Sequence, residues 1–167
     1  PHGGVLIAVK HYLNPVEVTF ENEYEILMID VGYSDSRLRI CLAYRPPTYN
    51  SYNSERMLSL LEPYFDAVGS VCFLGDFNYP NIDWHDISSH YGTSFFTDFL
   101  NRMNLNQKVH QPTRKGNILD LVLCRDESLI RDVTVSETFS TSNHCLLTFN
   151  IDLPKPSVHR REAFNYG

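Results

Sequence analysis

The chain has 167 residues, 43% of them apolar and 20% charged, with a net charge of −6. That length and balance describe one globular domain with a core of its own and exclude a disordered chain. The acidic balance excludes a protein that merely coats nucleic acid by charge, yet carboxylates gathered around a divalent cation remain compatible with a phosphodiester substrate.

No run is long and apolar enough to span a membrane, and Val5 to Val9 is far too short. The chain starts at Pro1 and not at methionine, which reads as a processed or excised piece. Cys41, Cys72, Cys124 and Cys145 are widely spaced and each sits in an apolar run. This is the pattern of buried, reduced thiols and not of a metal knuckle or a disulfide framework, and it points to an intracellular protein.

In chain order, Gly3 to Val9 reads as a strand. Tyr24 to Val31 is a second, and Arg37 to Tyr44 a third, with Leu38, Ile40, Leu42 and Tyr44 alternating. Gly32 to Ser36 between them has hairpin-loop composition, and Pro46-Pro47 stops the third strand because proline donates nothing to a ladder. A helix is expected from Asn53 or Ser54 to about Val68, its apolar positions Met57, Leu58, Leu61, Tyr64, Phe65 and Val68 at helical spacing, with Pro63 as a possible kink.

Val71 to Leu74 is a buried strand ending on Gly75-Asp76-Phe77-Asn78. Alternation places Asp76 and Asn78 on one face, so a carboxylate and a carboxamide emerge together where loops mount functional groups on a scaffold. A second helix runs from about Thr93 to Met103, its stripe of Phe95, Phe96, Phe99, Leu100 and Met103 reading as core, with Thr93 or Ser94 as cap. Strands follow at Gln107–His110, Leu119–Cys124, Asp132–Glu137 and His144–Ile151. The domain spans 1–153, and 154–167 is a polar C-terminal linker. Strands in runs with two interposed helices give an α+β sandwich with a mixed or antiparallel sheet pair.

The basic residues Arg102, Lys108, Arg114 and Lys115, and Arg160-Arg161 further on, read first as solvated surface. The polar residues at strand ends are the informative ones. Asp120 interrupts the apolar run Ile118 to Leu123, where a charge is expensive unless partnered. Ser142-Asn143-His144 precedes another strand, and Tyr44 ends one. A carboxylate, an amide and a histidine at one sheet edge suit phosphodiester hydrolysis, in which a hard divalent cation takes oxygen ligands and histidine stabilises or protonates an oxyanion. Glu17, Glu21, Glu23 and Glu25 are available to such a cation, none in a distinctive context.

Four ordered segments carry a family resemblance: Ala43-Tyr44-Arg45-Pro46-Pro47, Gly75-Asp76-Phe77-Asn78, Ile118 to Leu123, and Ser142-Asn143-His144, with Gln111-Pro112-Thr113-Arg114 between the second and third. The chain resembles the endonuclease/exonuclease/phosphatase superfamily, and within it the apurinic-endonuclease-like domain of non-LTR (LINE-type) retrotransposons. The resemblance implies a four-layer α/β sandwich of two packed mixed sheets flanked by helices, Mg²⁺ or Mn²⁺ as cofactor, DNA as partner and an intracellular, nuclear setting. It implies that Asp76 handles the attacking water, that Asn78 holds water and phosphate, and that Tyr44 contacts the scissile phosphate. It places Asp120 in the active-site network and makes His144 the catalytic histidine. Arg45, Thr113 and Arg114 are implied substrate contacts, and positions 76 and 143 implied metal positions.

Two departures temper this. Position 143 carries asparagine where the family has aspartate, which predicts a histidine without its carboxylate partner. The first strands of the family pattern, with their metal-binding glutamate, are missing, which predicts an open sheet edge and self-association. The reading is therefore a metal-dependent DNA-nicking endonuclease domain of a retrotransposon polyprotein, impaired in this chain. The alternative is a catalytically inactive derivative acting as a binding or structural module; the same fold acting on a phospholipid or nucleotide phosphate ranks third.

Overall fold

The computed structural model describes residues 4–21, 23–33, 36–84, 86, 94–138 and 141–153. The expected linker from 154 onward, with Arg160 and Arg161, lies outside the described residues, as does Thr93.

Six strands form one mixed sheet in the order β1–β2–β3–β4–β6–β5. They are β1 (Val16–Glu17), β2 (Glu25–Tyr33), β3 (Ser36–Tyr44), β4 (Ser70–Asp76), β5 (Asn106–Gln107) and β6 (Asp120–Cys124). The strands β7 (Ile130–Thr138) and β8 (Cys145–Ile151) form a separate antiparallel pair. Strand β3 runs parallel to β4, and such a pair needs a crossover. The crossover is α1 (Ser51–Asp66), capped by Asn50, whose side chain accepts from the Asn53 N–H at 2.9 Å. Pro63 remains inside α1, one turn before its end.

Met57, Leu58, Leu61 and Phe65 of α1 are fully buried against one face of the sheet, beside Phe99 of α2 (Phe95–Arg102). Phe73 of β4 is the hub: its ring meets Phe65 at 5.2 Å, Phe77 at 4.8 Å and Phe99 at 6.3 Å between centroids. Each such buried side chain contributes about 1.5–3 kcal/mol from apolar burial. On the same face, Arg39 and Asp30, direct cross-strand partners, form a buried two-point ion pair at 2.8 Å. A third Arg39 nitrogen donates to the Tyr64 carbonyl, tying the helix to the sheet.

The second sheet turns Val133, Val135, Leu147, Phe149 and Ile151 toward the core. Leu147 and Phe149 face Leu42, Leu74 and Val122 across a cleft of about 310 Å³ between the sheets, and Asp76 and Asp120 close one end of it. Helices, six-stranded sheet and second sheet thus stack as the expected α+β sandwich. The first sheet is mixed and the second is an antiparallel pair, and no α-helix besides α1 and α2 occurs among the described residues.

Three local expectations are corrected. Burial alternates along residues 4–10 as in a strand, yet these residues join no ladder among the described residues. Apolar alternation reports a face to bury and says nothing about a hydrogen-bonding neighbour. The expected strand at Gln107–His110 shortens to the two residues of β5, and β1, only two residues long, has no pattern to find.

Candidate active site

The site is a row across the sheet. Register pairs Glu25 with Tyr44, Tyr44 with Asp76 and Asp76 with Asp120. Directly paired residues project from the same face, so a carboxylate, a phenol and two more carboxylates stand side by side at one end of β2, β3, β4 and β6. One carboxylate oxygen of Glu25 is buried and has no hydrogen-bond partner among the described residues.

Gly75 makes the row possible. Its φ is 149°, and a Cβ there would lie 1.8 Å from the Ala43 carbonyl oxygen, so only glycine lets β4 sit this close to β3. The chain then leaves the extended conformation. Asn78 has a left-handed φ of 50°, so it reaches Asp76 through a turn and not by continued strand alternation. Its main-chain N–H donates to Asp76 Oδ1 at 3.2 Å, and its side-chain Nδ2 donates to the Arg45 carbonyl at 3.0 Å.

Thr113 is buried and holds three parts of the site together. Its hydroxyl accepts from the main-chain N–H groups of Leu119 and Asp120 at 3.0 and 3.1 Å, and its carbonyl accepts from the Cys145 N–H at 2.8 Å. The start of β6 and the start of β8 are fastened at one residue. That brings His144 to Asp120: Nδ1 lies 2.8 Å from Oδ2 and 3.1 Å from Oδ1. The other ring nitrogen, Nε2, faces Asp76 Oδ2 at 3.7 Å.

His144 therefore has a carboxylate partner, and the expectation that asparagine at 143 deprives it of one is corrected. The carboxylate comes from Asp120, 24 residues away in sequence, which no local motif could announce. Asn143 itself is exposed. Burial pushes the Asp76 carboxyl above its ordinary range and the Asp120 charge adds to the rise; His144 and the hydrogen bonds from Asn78 pull part of it back.

Candidate ligand atoms of Asp76, Asp120 and His144 all lie within 4.8 Å of one another. Two carboxylates and an imidazole form a donor set that suits Mg²⁺ or Mn²⁺, the imidazole favouring the softer Mn²⁺.

Arg45 is 7% exposed. Its Nε donates to Ser54 Oγ, and its terminal nitrogens donate to the carbonyls of Tyr49, Phe77 and Asn78. Arg114 flanks a tight turn, Arg114 to Asn117, closed by paired main-chain hydrogen bonds of 2.9 and 3.0 Å. Lys115 and Gly116 at its tip have φ of 47° and 83°, the signs of a type I′ hairpin turn.

Tyr44, Asp76, Asn78, Asp120 and His144 lie together at this end of the sheet, and of Glu17, Glu21, Glu23 and Glu25 it is Glu25 that joins the row, a place set by the β2–β3 register. The only early sign of Thr113 as a fastening point was its position in Gln111-Pro112-Thr113-Arg114.

Comparison with known proteins agrees. Residues 38–148, more than half of the chain, match the endonuclease–reverse transcriptase family model. Among solved structures, the endonuclease domain of TRAS1, a telomere-specific non-LTR retrotransposon, is similar with a TM-score of 0.65 at 18% identity, over 87% of this chain and 72% of that one. The Neisseria 3′ phosphatase NExo bound to a product DNA hairpin is similar with a TM-score of 0.51 at 17% identity, over 75% of this chain and 64% of that one. No curated protein sequence matches the chain. With the family match running from within β3 into β8 and with Tyr44, Asp76, Asn78, Asp120 and His144 inside it, the chain belongs to the endonuclease–reverse transcriptase family of the endonuclease/exonuclease/phosphatase superfamily.

Proposed function

We propose that this is a divalent-metal-dependent endonuclease domain that nicks DNA for a retrotransposon. The observation that carries the reading is the line Asp120–His144–Asp76, a histidine between two carboxylates at the end of a rigid sheet.

Asp120 accepts the Nδ1 proton of His144, fixes the tautomer and leaves Nε2 turned toward the substrate side and Asp76. With a proton on Nε2 as well, the ring donates from that nitrogen to a non-bridging phosphate oxygen and steadies the charge that grows on it, while Asp120 holds Nδ1. Asp76, whose Oδ2 faces His144 Nε2 and whose carboxyl is raised by burial and by the Asp120 charge, is the group that orients or deprotonates the attacking water. Asn78, held by Arg45, keeps Asp76 aimed through its main-chain N–H. Tyr44, beside Asp76 in the register, is placed to donate to the scissile phosphate. The carboxylates of Asp76 and Asp120 would hold Mg²⁺ or Mn²⁺, which would supply charge stabilisation at the phosphoryl oxygens. The Arg114–Asn117 turn, with Lys115 at its tip, presents positive charge to the DNA backbone just ahead of Asp120.

The test is nicking of supercoiled plasmid with Mg²⁺ or Mn²⁺, compared with Asp76→Ala and His144→Ala. Loss of nicking in both variants, with unchanged circular dichroism, supports the reading. Nicking retained by either variant removes that residue from the chemistry. The inactive-module alternative rests on two features, asparagine at 143 and the missing first strands with their metal-binding glutamate; the Asp120 contact to His144 weakens the first of them.

A further inference from the structure

A second cleft, of about 440 Å³, opens beside the site and shares Asn78 as a wall with it. Its other walls are Pro47, Pro80, Asn81, Ile82 and Ser94, over a base formed by Arg45 and Tyr79. The volume falls within the roughly 300–1,000 Å³ of pockets that enclose small molecules.

The charge that borders the cleft is already committed. All three guanidinium nitrogens of Arg45 donate to Ser54 Oγ or to main-chain carbonyls. Its flat face lies 4.2 Å from the Tyr79 ring centroid, and the Tyr79 ring also stacks on Phe96 at 4.5 Å and 19°. Arg45 thus has no fork left for a phosphate, and Tyr79 is tied up as a packed base. What the cleft still offers is neutral: the rings of Pro47 and Pro80, the Ile82 side chain, the carboxamide of Asn81 and the hydroxyl of Ser94. Ser94 sits at the N-cap of α2, yet its side chain makes no capping hydrogen bond. An N-cap serine normally spends its hydroxyl on the helix, so this one is left for another partner.

We infer that this cleft is a nucleoside subsite, taking the sugar and base of the nucleotide next to the phosphate that Asp76 faces. The inference rests on the DNA-cleaving reading for its biological meaning. Its chemistry stands separately: among the described residues that line it, an apolar wall for a flat ring or sugar face, two neutral hydrogen-bonding groups and no free cation. The link to the site is short. Asn78 lines the cleft while its main-chain N–H holds the Asp76 carboxylate, so a nucleoside seated there abuts the reacting phosphate. Recognition by neutral groups at this place selects among bases and not among charges.

The experiment is a ¹⁵N-resolved NMR titration of the metal-free chain with thymidine, with 2′-deoxyadenosine and with inorganic phosphate as separate probes. Saturable shifts at Asn81, Ile82 and Ser94 are expected with at least one nucleoside and not with phosphate. Ile82→Trp, which fills the cleft, and Asn81→Ala, a smaller change, should each weaken that binding, the first by at least roughly tenfold, as blocking a shaped pocket does. Absence of nucleoside shifts at these three residues, equal shifts with phosphate, or unchanged binding in a folded Ile82→Trp chain overturns the inference. Because no cleavage is read, failure here is separate from failure of the nuclease reading, which the Asp76→Ala nicking assay decides.

Discussion

Asp120 and His144 form the closest polar contact of the site, Oδ2 to Nδ1 at 2.8 Å, and one residue, Thr113, sets both of their strands. A histidine paired in this way keeps one tautomer and has a negative charge behind it whatever occupies position 143. Asn143→Asp is accordingly expected to change metal-dependent nicking by less than about tenfold, well short of the loss of about four orders of magnitude known for an aspartate-to-asparagine change behind a catalytic histidine. Initial rates of plasmid nicking at matched metal occupancy decide this. A rise of two orders or more would show that position 143 needs a carboxylate after all.

The large effect belongs to Asp120. Asp120→Asn keeps the shape but offers an amide to Nδ1, so the tautomer is no longer imposed. A loss of roughly two to four orders in turnover is expected, by the same comparison with the catalytic triad. An unchanged rate would demote Asp120 to a structural carboxylate.

Much of this site was legible before any coordinates. Asp76, Asp120 and His144 stand out because a charged or ionisable group at the end of an apolar strand needs a reason to be there, and all three converge. What could not be read is register. Whether His144 meets residue 143 or residue 120 depends on how β8 is hung on Thr113, and whether Glu25 joins the row depends on the pairing of β2 with β3. Neither leaves a local trace in the sequence, since a strand pattern names the buried face and not the neighbour. The segment Val5 to Val9 makes the same point in reverse: its alternation is real, and its expected ladder is missing among the described residues. Arg45 shows a further limit. An arginine beside a tyrosine at a strand end suggests a phosphate contact, but in the folded chain its nitrogens are already in use.

Gly75→Ala tests how the row is built. The added Cβ would stand 1.8 Å from the Ala43 oxygen at a φ of 149°, so β4 must move away from β3. Destabilisation of about 1–3 kcal/mol from backbone strain is expected, together with loss of divalent-ion binding, because Tyr44 and Asp76 no longer align. Chemical denaturation and Mn²⁺ calorimetry on the same samples check both halves. Full metal affinity in a destabilised variant would mean that the row tolerates the shift.

Thr113→Val removes the hydroxyl that accepts from Leu119 and Asp120 while keeping the shape. Buried N–H groups left without a partner cost about 1–3 kcal/mol each. With two such groups orphaned, the valine variant should be less stable by about 2–6 kcal/mol and should lose nicking beyond what its unfolded fraction explains, whereas Thr113→Ser, which restores the acceptor, should recover most of both. If valine nicks as well as serine at equal folded fraction, the staple does not govern the Asp120–His144 geometry.

The last prediction concerns pH. Burial, with the Asp120 charge behind it, raises the Asp76 carboxyl pKa in the folded chain above its unfolded value. The sign for stability follows from linkage. Above the folded pKa the fold carries a charge that it disfavours, and stability is reduced. As pH falls through that pKa the folded chain takes up a proton ahead of the unfolded one, and the penalty shrinks until it is gone below the unfolded pKa, about 3.9. In metal-free buffer Asp76→Asn should therefore raise the melting temperature at pH 7 to 8, and the gain should fade as pH falls and be gone below about pH 3.9, the unfolded pKa. Metal reverses the sign, because a divalent ion stabilises the same carboxylate that burial opposes. Mn²⁺ should raise the melting temperature of the wild-type chain at neutral pH and do little for Asp76→Asn, and its affinity should fall at a pH higher than an ordinary aspartate would set. Melting curves across pH, with EDTA and with Mn²⁺, supply all four comparisons. A variant that melts lower than wild type at pH 8 in EDTA would mean that Asp76 stabilises the free fold, and the idea of a carboxylate held in waiting for a cation would fall with it.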